Sequence, residues 1–401
     1  MNTIPADSPA RDADLGRVML NSTNCSLRKM PAAVFAATLV LAAAPALAVP
    51  SYTIQGLGDL PGGSAYSYAA AVNASGQVVG MSGATTGQRA FLWDNGVMTN
   101  LGDLPGGSDS SYAFAISDPG LVVGRSYATP IGVHGFLWDN GTMTDLGDLA
   151  GGDDISYAFG VNASGQVAGY SNAATGDRAF LWANGVMTNL GDLPGGNNFS
   201  RAHGINDAGQ VVGFSNAATG DRAFLWDNGV MTNLGDLPGG GDYSQAYGIN
   251  ASGQVVGVSV ATAGQHAFLW ENGVMTDLGT LPGTNDLSRA LAINDAGQIV
   301  GYAQNRSTNQ RAALLWDDGA LINLNDVIVD GMGWTLREAN GINDSGQIVG
   351  YGASPEGYDQ AFLLTPVVEG GAEVPVPAAL PLLGTALAGL VGLRAQRRRT
   401  A

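Results

Sequence analysis

Seven residues at one phase of an internal repeat carry the most varied chemistry in the chain: Tyr68, Tyr112, Tyr157, Arg201, Gln245, Arg289 and Glu338. Three phenol rings beside alternating charges can stack on and hydrogen-bond a sugar or a peptide. A solvated rim without a ligand is the alternative. A second series, Arg89, His134, Arg178, Arg222, His266, Arg311 and Gln360, opens one strand type; Asp59, Asp103, Asp148, Asp192, Asp236, Thr280 and Asp326 close the next. A two-residue turn at Asn95-Gly96 sets Arg89 opposite Gly102, next to Asp103. This register predicts exposed cross-strand ion pairs within each repeat, each worth about 0–1 kcal/mol. The competing reading is a charged ring on one face. His134 and His266 belong to this series, while His203 stands alone, and no two histidines have the close spacing of a metal site. No metal and no cofactor are expected. Glycoside chemistry needs two carboxylates about 5–9.5 Å apart, and the acids here are spread around the repeats, so no catalytic residue is assigned.

The elements that position these groups follow from the repeat. The leucine opening each LGDLPGG-like run falls at 57, 101, 146, 190, 234, 278 and 324, a period of 44–46 residues. One copy holds four apolar runs of strand length: AHGIN, QVVGFS, RAFLW and VMTNL, between 202 and 234. Asn228-Gly229 between the last two is a type I′ hairpin signal, because both residues need positive φ. Four antiparallel strands per repeat describe a propeller blade. Seven first, second and third strands are present, but only six fourth strands follow a third strand; YTIQGLGDL at 52–60 reads as the missing one. The expected fold is therefore all-β, a seven-bladed β-propeller closed by its N-terminal strand, with an open solenoid as runner-up. Small residues at two alternate first-strand positions, such as Ala69 and Ala71, are expected where inner strands crowd at the axis. Six tryptophans in phase, from Trp93 to Trp316, read as packing. Trp334, out of phase, is expected to cap the seam. The variable series beginning at Tyr68 is expected near the mouth of the central channel.

Residues 49–393 hold 9 arginines against 31 acidic residues, a balance of −22 (9 minus 31). Such a field repels nucleic acid and suits solubility or a cationic or neutral partner. Cys25 is the only cysteine, so the body has no disulfide and no thiolate site.

The two ends carry address signals. From Met19 onward, Arg28 and Lys29, the apolar run 34–44 and the Ala46-Leu47-Ala48 site form an export signal, with cleavage before Val49. Translation starting at Met19 would remove the unpatterned residues 1–18. At the other end, 367–373 is a polar linker. Val374, Pro375, Val376, Pro377 and Ala378 lead into an apolar stretch, 377–393, of about 17 residues, the lower limit for spanning a bilayer. Arg394, Arg397, Arg398 and Arg399 would hold its end in the cytoplasm.

Through INxxGQVVG, AFLWxNG and LGDLPGG, residues 52–366 resemble the HAF-repeat family of probable extracellular proteins; the naming motif is intact only as His266-Ala267-Phe268. The C-terminus resembles a PEP-CTERM or VPxPA-type sorting signal, with Val376 where one variant has Glu. The resemblance implies an exosortase-type processing protease as partner, a transient inner-membrane anchor, and release to the cell surface or extracellular matrix among exopolysaccharide and surface proteins. The expected role is non-enzymatic binding or structure; the alternative is a carbohydrate-active enzyme on a propeller scaffold.

Overall fold

The computed structural model describes residues 50–129, 132–283, 287–331 and 333–367. The proposed export signal with Ala46, Ala48 and Val49, and the sorting segment from Val374 onward, lie outside the described residues. No helix among the described residues is long and apolar enough to cross a membrane.

Repeated antiparallel sheets make the body all-β. In the fourth repeat Ser200–Ile205, Val211–Ala217, Gly220–Asp227 and Val230–Asn233 pair in sequence order. Ala202 lies opposite Gly213, Gly213 opposite Phe224 and Phe224 opposite Asn233. Asn228 and Gly229 take φ of 46° and 89°, the positive values a type I′ turn requires. Gly213 is needed for a different reason, since a Cβ there would stand 2.0 Å from the Arg201 carbonyl oxygen. This four-stranded unit, the blade of a β-propeller, recurs along the chain. Two neighbouring units join through a parallel bridge between Ile155 and Val133.

The core lies in the slots between consecutive sheets. Phe91, Phe136, Phe180, Phe224, Phe268, Leu314 and Phe362 are fully buried. One such cluster joins Val212, Ala223 and Leu234 to Ala246, Val255 and Phe268 of the next repeat. Each buried aromatic contributes about 1.5–3 kcal/mol. Trp93 and Trp316 are buried and Trp138, Trp182, Trp226 and Trp270 are half-buried against these clusters, in keeping with packing. Buried serines tie sheets together: Ser200 Oγ donates to Gly191 O at 2.6 Å and accepts from Ala179 N at 3.0 Å.

Tyr52–Gly56 pairs antiparallel with Asp359–Pro366, with Ile54 opposite Leu364, and runs parallel to Ile328–Val329. It thus supplies the fourth strand of the last repeat. Tyr52 is fully buried there, and burial drives its hydroxyl pKa up to about 12. Trp334 packs over this strand pairing, edge-on to Phe362 at 6.4 Å and against Gly56.

At the far end of the inner strands the Asn73 amide donates to Ser117 O, Asn162 to Asn206 O, Asn206 to Asn250 O, Asn250 to Asn294 O and Asn294 to Asn343 O, over 3.0–3.3 Å. Asn343 donates in turn to Asn73 O at 2.9 Å. The carboxamide oxygens also hold the local turns, as Asn206 Oδ1 does with Gln210 N.

Two sequence expectations need correction. The arginines of the strand-opening series are buried, not exposed, and reach beyond their own sheet. Arg89 lies 3.7 Å from Asp103 but 2.9 Å from Asp109 of the following repeat. Arg222 and Arg178 keep the expected pairs within their repeats, with Asp236 and Asp192 at 3.9 Å, while Arg222 also pairs with Asp242 and Arg178 with the Asn198 carbonyl. Arg311 does not belong to the series at all: Ala312 occupies the equivalent register, opposite Ala303, while Arg311 faces the other way, opposite Gln304.

Candidate functional site: a tyrosine–arginine rim

In six repeats the variable residue stands between a buried serine and a buried alanine, as in Ser200, Arg201 and Ala202, whereas in the last Arg337 precedes Glu338. Alternation turns the variable residue away from the face that its two neighbours share. Asn206 lies five steps along the chain from Arg201, so the variable positions and the asparagines sit roughly 16 Å apart, at opposite ends of the inner strands.

The structure brings the seven positions into the slots between sheets, Glu338 buried and the other six half-buried, and five of them contact a neighbouring repeat. Tyr68 meets Tyr351 at 4.6 Å. Arg125 lies over Tyr112 at 4.4 Å and near Tyr157 at 5.1 Å, and its Nη1 donates to the Tyr157 hydroxyl at 3.0 Å. Arg201 covers Tyr170 at 4.2 Å while donating from Nε to Asp177 at 2.9 Å. Gln245 Oε1 accepts from the Tyr247 hydroxyl at 2.9 Å. Arg289 lies among Tyr243, Tyr247 and Tyr302. Glu338 pairs with Arg311, which itself stacks on Tyr302 at 4.7 Å. Burial pushes the Tyr170 hydroxyl up to about 12 and raises that of Tyr68, so these phenols stay neutral donors at physiological pH. A groove of about 660 Å³ opens beside Arg311, Arg337 and Tyr351.

Sequence reasoning missed the residues that face the axis. They lie two positions further on, in a bulge between Ala69 and Ala71 and its equivalents. Phe114, Phe159, His203 and Tyr247 form an arc of rings with centroids 4.9, 5.2 and 5.3 Å apart. The residue between the two small ones was the available signal. The second small position permits close approach, since a Cβ on Gly204 would meet Tyr247 O at 3.0 Å; the first, Ala202, lies in the inter-sheet core instead. His203 keeps some surface open to a cavity of about 240 Å³. Burial nevertheless pushes its pKa down to about 4, against a hydrogen bond to Ala246 O.

His134, Asp148 and Asp154 bring one ligand atom each within 4.8 Å of one another. Both imidazole nitrogens are already engaged, Nδ1 with Asp145 at 2.9 Å and Nε2 with Asp154 at 2.8 Å. Two carboxylates on one ring favour imidazolium. Burial opposes that charge, but the hydrogen bonds to Asp145 and Asp154 prevail and raise the pKa. His134 thus replaces the arginine clamp of other repeats. His266 Nδ1 bonds Asp277 at 2.8 Å, and the Asp145 and Asp277 positions carry Asn where the clamp is Arg.

No protein-family model matches the chain, and no curated protein matches it. Among solved structures it is similar to TolB from Acinetobacter baumannii, at 10% identity and a TM-score of 0.40, over 70% of this chain and 60% of that one. A putative gluconolactonase matches at 9% identity and a TM-score of 0.37, over 79% and 92% of the two chains. A mutant of AofleA from Arthrobotrys oligospora matches at 14% and 0.39, over 68% and 88%. Likenesses this loose carry no argument about activity.

The rim carboxylates Asp177, Glu338 and Asp359 are held by Arg201, Arg311 and Arg337. Asp221, the counterpart of Asp177 one repeat on, is hydrogen-bonded by Asn216 and lies beside Tyr243, so the rim offers that carboxylate along with ring faces, hydroxyls and guanidinium groups.

Proposed function

We propose that the chain is an exported cell-surface or matrix protein, a seven-bladed β-propeller closed by Tyr52–Gly56, whose rim binds glycan or protein partners without catalysis. The pairing of Tyr52–Gly56 with Asp359–Pro366 and the Asn343 to Asn73 hydrogen bond support closure. The observation that carries the binding role is the grouping of tyrosines and arginines in neighbouring slots at one end of the inner strands. Such rings offer flat faces to sugars while hydroxyls and guanidinium groups fix orientation. Export rests on the signal before Val49 and on the HAF-repeat resemblance of residues 52–366, and exosortase-type sorting with transient inner-membrane anchoring on the PEP-CTERM resemblance at the C-terminus.

A glycan array probed with residues 49–370 is expected to show polysaccharide binding that Tyr157→Ala weakens. Absence of binding to every polysaccharide, including the host's own matrix, would sink the glycan reading. New reducing ends appearing during incubation would overturn the non-enzymatic assignment in favour of a carbohydrate-active enzyme.

A further inference from the structure

Five arginines face the rim slots, and the protein neutralises three of them itself. Arg201 is paired with Asp177, Arg311 with Glu338 and Arg337 with Asp359. Arg125 meets no carboxylate among the described residues, but its guanidinium is held by the Tyr112 and Tyr157 rings and bonded to the Tyr157 hydroxyl. Arg289 shares the tyrosine surroundings of Arg125 but, among the described residues, has no carboxylate and no ring stacked on its guanidinium. Its side chain is half-buried among Tyr243, Tyr247 and Tyr302, with a hydrogen bond to Tyr302. Its Nε is covered and has no acceptor, and no carboxylate among the described residues pairs with it.

The cause lies in the register. Asp177, directly before the buried Arg178, lies opposite Asn172 and reaches Arg201 of the next repeat. Its counterpart before His266 is Gln265, opposite Val260 and bridged to Leu287, two residues ahead of Arg289. A neutral amide stands where the Arg201 slot has its counter-ion. A guanidinium that meets no carboxylate among the described residues and is set among aromatic walls favours a planar oxyanion, which it can bind by two parallel hydrogen bonds.

We propose that Arg289, walled by Tyr243 and Tyr302, binds the carboxylate of an acidic sugar residue in an anionic polysaccharide. This rests on the rim being a glycan surface and gives it a ligand class. The acidic body repels a densely charged chain such as a nucleic acid duplex, with one charge per roughly 1.7 Å. A polyuronate carries its carboxylates one per sugar, and repulsion from exposed acids beyond about 8 Å is screened at physiological ionic strength. The tyrosine faces take the apolar side of the ring while the arginine selects the acid.

The test measures binding of the full chain to a polyuronate and to the same polymer with its carboxyl groups reduced to alcohols. The acid form is expected to bind about tenfold tighter or more, the scale of one charge-assisted hydrogen bond. Gln265→Asp, which copies the Asp177 arrangement without removing any binding atom, should abolish the preference and leave binding of the reduced polymer unchanged. Gln265→Asn should keep the preference and so controls for folding. Asp177→Asn, which frees Arg201, should enlarge it. Equal binding of the two polymers, or a preference that survives Gln265→Asp, overturns the assignment while leaving a glycan rim standing. Oligoglutamate binding as tightly as the polyuronate moves the site to acidic peptides and overturns it too. No binding of either polymer overturns the inference; failure of the whole array would remove the glycan rim as well.

Discussion

The two ends of the inner strands follow opposite rules. At one end Asn73, Asn162, Asn206, Asn250, Asn294 and Asn343 repeat one amide, broken only by Ser117. Each holds its own turn and donates to the neighbouring repeat. At the other end the equivalent positions run through Tyr, Arg, Gln and Glu. Their contacts can even be inverted, as Asp177 with Arg201 becomes Arg311 with Glu338. Identity across repeats marks a joint with one geometric solution. Variation marks slots where any pair of the right size and charge will serve, which leaves freedom for a ligand.

The largest expected effect comes from attacking the joint that spans the whole chain. Deleting Tyr52–Gly56 uncovers the Asp359–Pro366 edge and its buried neighbours, a loss on the order of 5 kcal/mol or more. Denaturant unfolding should lose its single sharp transition. An unchanged transition would point to an open array instead of the proposed ring.

A smaller effect separates the axial arc from both ends. Below the ordinary histidine pKa of 6.5 the unfolded chain takes up a proton that His203 refuses until about pH 4. The fold therefore loses stability as pH falls through that window, by up to about 3 kcal/mol. His203→Phe should remove this loss, and identical pH profiles would refute the buried neutral imidazole. The His134 clamp has the opposite sign, because its pKa is raised. Its contribution is complete below pH 6.5 and fades as pH rises through the raised value.

The smallest pair of effects compares the ends directly. Asn250→Ala removes four side-chain hydrogen bonds at a buried site and should cost about 1–3 kcal/mol. Arg201→Gln, at a partly exposed ion pair, should cost no more than about 1 kcal/mol. A larger loss at Arg201 than at Asn250 would reverse the distinction between joint and slot.

Much of the fold was legible because turn chemistry and periodicity are local. Asn228-Gly229 announces its hairpin, and the incomplete last repeat points to the strand at Tyr52. The clamps were misread because hairpin register reaches only across one sheet, whereas Arg89 finds Asp109 twenty residues further along, in the next repeat. Arg311 was misassigned because the turn Arg306–Asn309 lengthens that hairpin, and Ala312 takes the expected register. The axial arc escaped notice because a bulge at Ala202/Gly204 breaks the strict alternation used to assign faces. Three residues of the rim were readable as aromatic, but Gln265, which stands where Arg201 has its counter-ion, gains meaning only beside Asp177.

Hydrogen–deuterium exchange on the chain, with and without its best-binding glycan, bears most directly on where the ligand sits. Protection is expected at the openings of the inner strands, around Ser111–Ala113, Ser156–Ala158 and Ser288–Ala290, with no change in the turns from Asn206 to Gln210 and their equivalents. Protection confined to those asparagine turns would contradict a binding surface at the tyrosine–arginine end.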